Sequence, residues 1–237
     1  MRFRRDQKIS ILTGAGISAE SGLKTFRGTD GLWRNHRVEE VASPKAFQKD
    51  PALVWDFYKE RYKKLQNVQP NKAHLALKLM EDYLKENFTL ITQNVDGLHS
   101  IAGNKHLYEM HGNLRECFCM SCNYKNTLKN IYLAARVPQC PKCGDNLRPN
   151  VVWFGEFPYH LEEIKEAIKN SDYFIIIGTS GVIYPAADFL RLAKNFRVTT
   201  LGLNLEKPSN VSFIDHFYSG KAAEELPKLV NEWIGML

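Results

Sequence analysis

Two Cys-x-x-Cys pairs restrict the possible folds of this chain more than any other feature. Cys119 and Cys122 form the first pair, and 17 residues separate them from the second pair, Cys140 and Cys143. Two such pairs, brought together by a turn, supply the four thiolates of a tetrahedral zinc site. Four thiolates leave no open coordination position, so we expect one structural zinc ion. Cys117 falls outside the pattern and is expected to be a partly buried thiol.

The rest of the chain alternates between two kinds of hydrophobic pattern. Four short apolar runs predict buried strands, at Lys8–Thr13, Phe88–Thr92, Tyr173–Ile177 and Arg197–Leu203. Helical patterns cover Ala52–Leu65, Lys72–Glu86, Leu161–Lys169, Ala186–Ala193 and Ala222–Trp233. This alternation predicts an α/β fold, a Rossmann-like parallel sheet with helices on both faces, plus a small inserted zinc-binding module. We expect the α/β part at about 1–111 and 149–237 and the zinc ribbon at about 112–148.

Composition limits the partners and the compartment. The chain has 237 residues, 44% of them hydrophobic, and contains no apolar run long enough to cross a membrane. The basic N-terminus lacks the apolar region of a signal peptide, so we expect a cytoplasmic protein with no membrane partner. The net charge of +6 comes without a dense Lys/Arg block interleaved with aromatics. We therefore expect no specific nucleic-acid partner, and a solvated surface instead.

The first predicted strand runs straight into a glycine-rich turn. Gly14 and Gly16 would let the backbone approach a phosphate at the start of a helix, but a plain strand–helix turn would look the same. The pattern also departs from G-x-G-x-x-G, because the next glycine, Gly22, comes late. An acidic residue at the end of a second strand is missing as well. An ordinary dehydrogenase is disfavoured by both departures.

Of seven histidines, His111 is the best candidate for a general base. His99 and His111 both follow the strand Phe88–Thr92, where ligands of open α/β sheets bind. His111 also adjoins Gly112 at the junction with the cysteine-rich stretch, which predicts a cleft wall. Imidazole has a near-neutral pKa that suits proton transfer at physiological pH. His74 falls within a helical pattern, and we expect a structural role for it.

Several ordered segments together resemble the sirtuins over nearly the whole chain. They are Gly14–Ser18 with Thr25-Phe26-Arg27, Thr92–His99, His111-Gly112 eight residues before Cys119, Arg148–Glu156, Gly178-Thr179-Ser180, and Asn204-Leu205-Glu206. The resemblance implies NAD as a co-substrate. It implies NAD contacts at Gly14, Ala15, Gly16, Ser18, Ala19, Thr25, Phe26, Arg27, Trp33, Gln93, Asn94, Val95, Asp96, Gly178, Thr179, Ser180, Asn204, Leu205, Glu206 and Ala222. It also implies an acyl-lysine-binding strand over Arg148–Glu156, with contacts at Val152, Trp153, Phe154 and Gly155.

The resemblance further implies a mechanism, with His111, Asn94 and Asp96 as catalytic residues. Asn94 and Asp96, with Gln93, would hold the nicotinamide end of NAD so that its glycosidic bond is strained toward cleavage. The acyl oxygen of an acylated protein lysine would then attack the ribose, and His111 would remove a proton from a ribose hydroxyl. The expected products are nicotinamide, free lysine and O-acyl-ADP-ribose.

The helix Ala52–Leu65 carries information about the acyl group. Val54, Tyr58, Arg61 and Leu65 share one helical face. A buried arginine requires an anion, although an arginine at the edge of the face could extend to solvent. Phe57-Tyr58-x-x-Arg61 resembles the pair in class III sirtuins that binds the carboxylate of succinyl- or malonyl-lysine. Ala42 resembles the small residue that widens their acyl channel. We expect desuccinylase, demalonylase and deacetylase activity together.

Three other functions remain open at this stage. A sirtuin scaffold could instead transfer ADP-ribose to proteins, which would leave labelled protein in place of O-acyl-ADP-ribose. The cysteine pairs could form a zinc-ribbon interaction module on an inert α/β domain, which would release no nicotinamide. An oxidoreductase would produce NADH. We expect acylated protein lysines and NAD as partners, and favour a monomer.

Overall fold

The structure is a computed structural model that describes residues 1–24, 32–33, 36–131, 133–181 and 188–236, with only the backbone described between 32 and 39. Its strands are β1 (Ile9–Thr13), β2 (Leu32–Trp33), β3 (His36–Arg37), β4 (Phe88–Thr92), β5 (Leu107–Glu109), β6 (Gly112–Cys119), β7 (Lys125–Thr127), β8 (Leu147–Val151), β9 (Tyr173–Ile177), β10 (Thr199–Asn204) and β11 (His216–Ser219). Its α-helices are α1 (Val38–Val41), α2 (Pro44–Lys49), α3 (Pro51–Leu65), α4 (Lys72–Leu84), α5 (Leu98–Ile101), α6 (Leu161–Lys169), α7 (Phe189–Asn195) and α8 (Ala222–Ile234).

The main sheet has six parallel strands in the order β11-β10-β9-β1-β4-β5. The central strand β1 pairs with both β4 and β9, so that Ile11 lies between Leu90 and Ile175. After β1 the chain adds β4 and β5 on one side of that strand, and it later adds β9, β10 and β11 on the other side. The order of the strands therefore reverses between β1 and β9. In open α/β sheets, ligands bind at the carboxyl ends of the strands at such a reversal.

Side chains of the central strands alternate between two buried faces. Ile9 and Ile11 of β1 pack into a core with α4 and α8, whereas Leu12 faces a second core with α6 and α7. Because both faces are covered, these strands are apolar almost throughout. The structure thus confirms the predicted α/β class and its parallel sheet with helices on both faces.

Element boundaries differ from the predictions where single residues leave the regular backbone. The strand predicted from Arg197 begins at Thr199, because Arg197 has a left-handed conformation with φ 59°. Helix α4 ends at Leu84 rather than Glu86, since Lys85 also has a positive φ, 56°. The helix predicted over Ala186–Ala193 is observed as α7, and Ala186 lies outside the described residues.

A second, antiparallel sheet has the order β7-β6-β8 and contains the four paired cysteines in its strands and loops. It packs against α3 through a third apolar cluster that includes Val54, Trp55 and Leu147. The Trp55 indole donates a hydrogen bond to the Leu147 carbonyl at 2.7 Å. Lys59 of α3 donates to the carbonyls of Ala135 and Arg136. Helix α3 is thereby attached both to strand β8 and to the loop that precedes it.

A search of the described ranges for a helix both long and apolar enough to cross a lipid bilayer finds none.

Gly112, where the two sheets meet, is predicted to be intolerant of any side chain. Its φ is +82°, and a Cβ there would overlap the Asn150 carbonyl group. We expect Gly112→Ala to lower the free energy of unfolding by roughly 3 kcal/mol or more, combining backbone strain with the clash. Gly22 has φ +89° with open space around it, so Gly22→Ala should cost only about 1 kcal/mol. Urea denaturation of both variants measures the difference, and equal losses would contradict the prediction.

Candidate active site and metal centre

The glycine-rich turns after β1 and β9 touch at the reversal of the strand order. The Gly14 amide donates to the Ile177 carbonyl and the Gly16 amide to the Gly178 carbonyl, each at 2.9 Å. A Cβ on Gly14 would lie 2.7 Å from the Gly178 oxygen, and one on Gly16 would lie 2.7 Å from the Gly178 Cα. Close backbone contact thus requires glycine at these positions. The turn after β1 continues as a 3-10 helix, Ala15–Ser21, in which Ala15 and Ala19 are half-buried.

Three of the predicted residues form one hydrogen-bonded group beyond the carboxyl end of β4. Asn94 donates from its side-chain amide to the Gly14 carbonyl at 3.1 Å and to the Ser18 hydroxyl at 3.3 Å. Ser18 in turn donates to the Asp96 carboxylate at 2.8 Å. Burial raises the pKa of Asp96, while hydrogen bonds from the Leu98 amide and Ser18 act in the opposite direction. These hydrogen bonds connect the turn after β1 to the turn after β4.

The other predicted NAD residues that the structure describes lie along the same edge of the main sheet. The Gln93 amide donates to the Thr179 hydroxyl at 3.1 Å, and the Asn204 amide donates to the Thr179 carbonyl at 2.9 Å. Their neighbours Ser180, Leu205 and Glu206 are exposed, whereas Val95 is half-buried and Ala222 is buried at the start of α8. The predicted contacts Thr25, Phe26 and Arg27 and the side chain of Trp33 lie outside what the structure describes.

His111 lies on the two-residue connection between the two sheets. The Met110 amide before it bonds to Thr92 of the main sheet, and Gly112 after it pairs with Val151 of the second sheet. The His111 Nδ1 lies 3.0 Å from the Gln93 carbonyl. A carbonyl accepts only, so Nδ1 carries the proton and Nε2 holds the lone pair. Burial lowers the pKa of His111, against the hydrogen bond to Gln93, which leaves a neutral imidazole with a basic Nε2.

Three of the predicted acyl-binding residues lie in the apolar cluster between α3 and the second sheet. Ala42, Tyr58 and Trp153 are all buried there. The Trp153 indole donates to the Tyr58 hydroxyl at 3.0 Å, and the Phe154 amide donates to the Ala42 carbonyl at 3.0 Å. Burial raises the pKa of Tyr58 to about 12, so its hydroxyl keeps its proton. Arg61, one turn further along α3, is half-buried with its guanidinium 5.2 Å from the Phe57 ring.

An ion pair between a buried arginine and a half-buried glutamate, which the sequence analysis missed, holds this segment in a turn. Arg148, 3% exposed, pairs with Glu156 at 2.7 Å, and its guanidinium lies 3.5 Å from the centre of the Trp153 ring. Glu156 also accepts the Trp153 amide. As a result β8 ends at Val151, and the segment beyond it turns instead of continuing as the expected strand. Val152 remains half-buried there, while Phe154 and Gly155 are exposed. The available signal for this pair was one arginine and one glutamate at the two ends of an otherwise uncharged segment, Arg148–Glu156.

Two histidines lie behind the group of Ser18, Asn94 and Asp96. His74 accepts the Asn71 amide at Nδ1 and approaches the Ser18 hydroxyl with Nε2 at 3.4 Å. His99 contacts Thr13 at 3.0 Å, and the two imidazole rings are 4.8 Å apart. Burial lowers the pKa of both, that of His74 to about 4. Both are therefore neutral core residues, as expected for His74.

The four paired cysteines form the predicted metal centre. The sulfur atoms of Cys119, Cys122, Cys140 and Cys143 all lie within 4.8 Å of one another. Such a cluster matches tetrahedral zinc, whose Zn–S bonds are about 2.3 Å long. All five cysteines are free thiols, and Cys117 is buried outside the cluster. The donor set consists of thiolates alone, which suits a structural ion.

Comparison with known proteins places the chain in a family. A sequence model described as "Sir2 family" matches residues 14–185. An NAD-dependent protein deacylase of Bdellovibrio bacteriovorus is 47% identical over 238 residues, covering 99% of this chain and 100% of that protein. The chain belongs to the Sir2 family.

Solved structures of the Sir2 family share the whole architecture. A Sir2 homologue mutant in complex with ADP-ribose superimposes with a TM-score of 0.87 at 40% identity, covering 96% of this chain and 92% of that one. A Sir2–p53 peptide–NAD+ complex gives a TM-score of 0.82 at 32% identity, covering 95% and 92%. The predicted resemblance to sirtuins is therefore confirmed. The matched family range includes the glycine contact, His111 and all four paired cysteines.

Metal analysis of this Sir2-family protein should find one zinc ion per chain. Cys140→Ser should release the ion and destabilise the second sheet, because metal-binding energy in such sites is also folding energy. The matched control is Cys117→Ser, which should keep the full zinc content, since Cys117 lies outside the cluster. Zinc content is measured by mass spectrometry of the purified proteins. A content near zero with the thiols in disulfides would contradict the assignment.

Proposed function

We propose that this protein is an NAD-dependent protein lysine deacylase. The observation that carries the proposal is His111, which lies on the connection between the two sheets with its Nδ1 bonded to the Gln93 carbonyl, so that Nε2 is the nitrogen left to accept a proton. Membership of the Sir2 family supports it, as do relatives named NAD-dependent protein deacylase. The two solved relatives described above, with ADP-ribose and with a p53 peptide and NAD+, support the same ligands here.

NAD is proposed to lie along the carboxyl edge of the main sheet. The glycine-rich turn that begins at Gly14 would lie against the phosphates, since no side chain at Gly14 or Gly16 keeps a ligand away from its backbone. Asn94 and Asp96 would hold the nicotinamide ribose, and their mutual hydrogen bonds through Ser18 keep them in place. Asn204 and Glu206 would contact the distal ribose. If these residues at the end of β10 bind the ribose, no acidic residue is needed at the end of the second strand.

The chain's own groups then direct acyl transfer. Bound NAD supplies the ADP-ribosyl group that accepts the acyl chain as nicotinamide leaves. Asp96 and Asn94 orient the ribose toward the acyl oxygen of the substrate lysine. His111 takes a proton from a ribose hydroxyl at Nε2, which lets that hydroxyl attack the acyl carbon. One molecule of water supplies the oxygen that replaces the lysine nitrogen on the acyl carbon, so the products would be nicotinamide, free lysine and O-acyl-ADP-ribose.

The zinc ion is proposed to have a structural role. It would hold together the loops of a zinc ribbon at about residues 112–148, inserted between the two parts of an α/β domain at 1–111 and 149–237. The ribbon's strands β6 and β8 adjoin His111 and the turn at Trp153, so the ion stabilises the walls of the acyl site.

We further propose that the protein removes succinyl and malonyl groups as well as acetyl groups. Ala42 and Trp153 would line the acyl channel, and Tyr58 and Arg61 would bind a carboxylate at its end. Since the Tyr58 hydroxyl accepts from Trp153, its own proton is left to donate to a ligand oxygen. A guanidinium supplies a planar pair of donors matched to a carboxylate.

One incubation tests the proposed function directly. The protein is mixed with NAD and matched acetyl-, malonyl- and succinyl-lysine peptides, and the products are identified by mass spectrometry. O-acyl-ADP-ribose, free lysine and nicotinamide in equal amounts are expected. ADP-ribose attached to protein would identify a mono-ADP-ribosyltransferase instead, and formation of NADH would identify an oxidoreductase.

His111→Ala should abolish deacylation while keeping the fold and the zinc content. Loss of a general base typically lowers the rate by roughly 10²–10⁴-fold. His106→Ala is the matched control, because His106 is exposed on the loop before β5 and lies outside the proposed site. Rates with the acetyl peptide, together with circular dichroism, make the comparison. Full activity in folded His111→Ala protein would remove this residue from the mechanism.

Arg61→Met should lower kcat/KM for the succinyl peptide by roughly ten- to a hundredfold. A hydrogen bond to a charged group contributes about 1.5–3 kcal/mol, and an acetyl group offers no carboxylate to accept it. Deacetylation should therefore change far less. Tyr58→Phe should act in the same direction more weakly, since it removes one neutral donor.

Lys63→Met, an exposed change on the same helix, should alter neither activity. The measurement is kcat/KM on matched succinyl and acetyl peptides for all four proteins. Equal losses on both peptides would assign Arg61 to the fold or to NAD binding, and the proposed acyl preference would be wrong.

A further inference from the structure

Arg115 of β6 joins two parts of the proposed site that belong to different elements. Its Nε donates to the Asp96 carbonyl at 2.8 Å, and its Nη2 donates to the Leu65 carbonyl at 2.9 Å. Leu65 is the last residue of α3, and Asp96 lies in the turn after β4. One planar guanidinium therefore bridges the end of a helix and a loop that the sequence separates by about thirty residues.

Both carbonyls are suited to a cationic donor, and the Leu65 carbonyl accepts the Val68 amide at 3.2 Å in addition to Arg115. The last carbonyls of a helix have no partner within the helix and carry a partial negative charge, which a cation stabilises. The Asp96 carbonyl belongs to a tight turn whose next residue, Gly97, has φ +71° and packs against the Arg115 side chain. A lysine could satisfy one of these carbonyls, but only the fork of an arginine satisfies both.

Arg115 is itself held in place by its neighbours. Its amide donates to the Asn113 side chain at 2.9 Å, and the adjacent Leu114 amide donates to the Val95 carbonyl at 2.8 Å. The strand β6 thus runs alongside the turn that contains Asp96 and directs the guanidinium toward α3. Because β6 belongs to the second sheet, the bridge originates in the sheet that carries the paired cysteines.

We infer that Arg115 is a positioning residue that fixes the spacing between the acyl end and the nicotinamide end of the site. The inference rests on the proposed function, in which α3 carries Tyr58 and Arg61 and the bridged turn carries Asp96. If α3 moves away from the turn, an acyl group held at Arg61 no longer places its carbonyl over the ribose held at Asp96. The longer, charged acyl chains depend most on this spacing, since they are bound at both ends.

The test compares Arg115→Met with two further variants. Methionine keeps an apolar stem and removes both hydrogen bonds. Arg115→Lys keeps the charge and one hydrogen bond. Lys59→Met removes a different attachment of α3, the one to Ala135 and Arg136, and leaves the bridge to Asp96 intact. Amide hydrogen exchange is followed in the last turn of α3 and in the segment from Val95 to Ile101, alongside steady-state kinetics.

For Arg115→Met we expect faster exchange in both segments, a KM for NAD raised about tenfold, and a succinyl-to-acetyl ratio of kcat/KM lowered about three- to tenfold. Tenfold corresponds to about 1.4 kcal/mol, close to the low end of what one hydrogen bond to a charged group contributes. Arg115→Lys should restore the wild-type exchange rate in one of the two segments and the wild-type value of one of the two kinetic parameters. Lys59→Met should leave the KM for NAD at the wild-type value. A purely structural role would lower the active fraction, and with it kcat on both peptides equally.

Three results would overturn the inference: unchanged exchange in both segments of Arg115→Met, full recovery of both kinetic parameters in Arg115→Lys, or the same kinetic change in Lys59→Met. Failure of the proposed function is recognised separately, because wild-type protein would then transfer no acyl group to ADP-ribose. In that case hydrogen exchange in the two segments alone decides whether Arg115 joins them.

Discussion

The contact between the backbone of Gly16 and that of Gly178 determines the layout of the site. It brings the turns after β1 and β9 together at the point where the strand order reverses, with no side chain between them. Asn94 then reaches the Gly14 carbonyl from β4, and Thr179 receives hydrogen bonds from Gln93 and Asn204 on either side. Four strands thus contribute to one edge, and each contribution depends on how closely the central turns approach.

His111 is positioned by the short connection between the main sheet and the second sheet. The residue before it is bonded to the parallel sheet and the residue after it to the antiparallel sheet, and Gly112 allows the chain to turn between them. The Gln93 carbonyl then selects the tautomer. A histidine placed in this way is held by backbone bonds at both neighbouring residues and at its own ring.

The central strands and the metal centre could be predicted because their signals are local. Strands buried on both faces are continuously apolar, and paired cysteines at short spacing are unmistakable. The edge strands β5 and β11 were missed, because each pairs on one side only and their polar residues give no apolar run. The Arg148–Glu156 pair and the Arg115 bridge also escaped prediction, since their partners are set by tertiary folding. The role of each predicted site residue remains a prediction, as do the proposed compartment and the monomeric state.

The attachments of α3 have a consequence for protein engineering. Trp55 donates to a carbonyl of strand β8 and Lys59 to carbonyls of the loop before it, and Tyr58 and Arg61 lie on the same stretch of this helix. Transferring only the Tyr-x-x-Arg sequence to another scaffold would transfer these two side chains without the hydrogen bonds that hold their helix in place. A chimaera that keeps the position of the helix would also need the carbonyls that Trp55 and Lys59 contact. In this chain the smallest exchangeable unit is therefore α3 together with the second sheet and its loop.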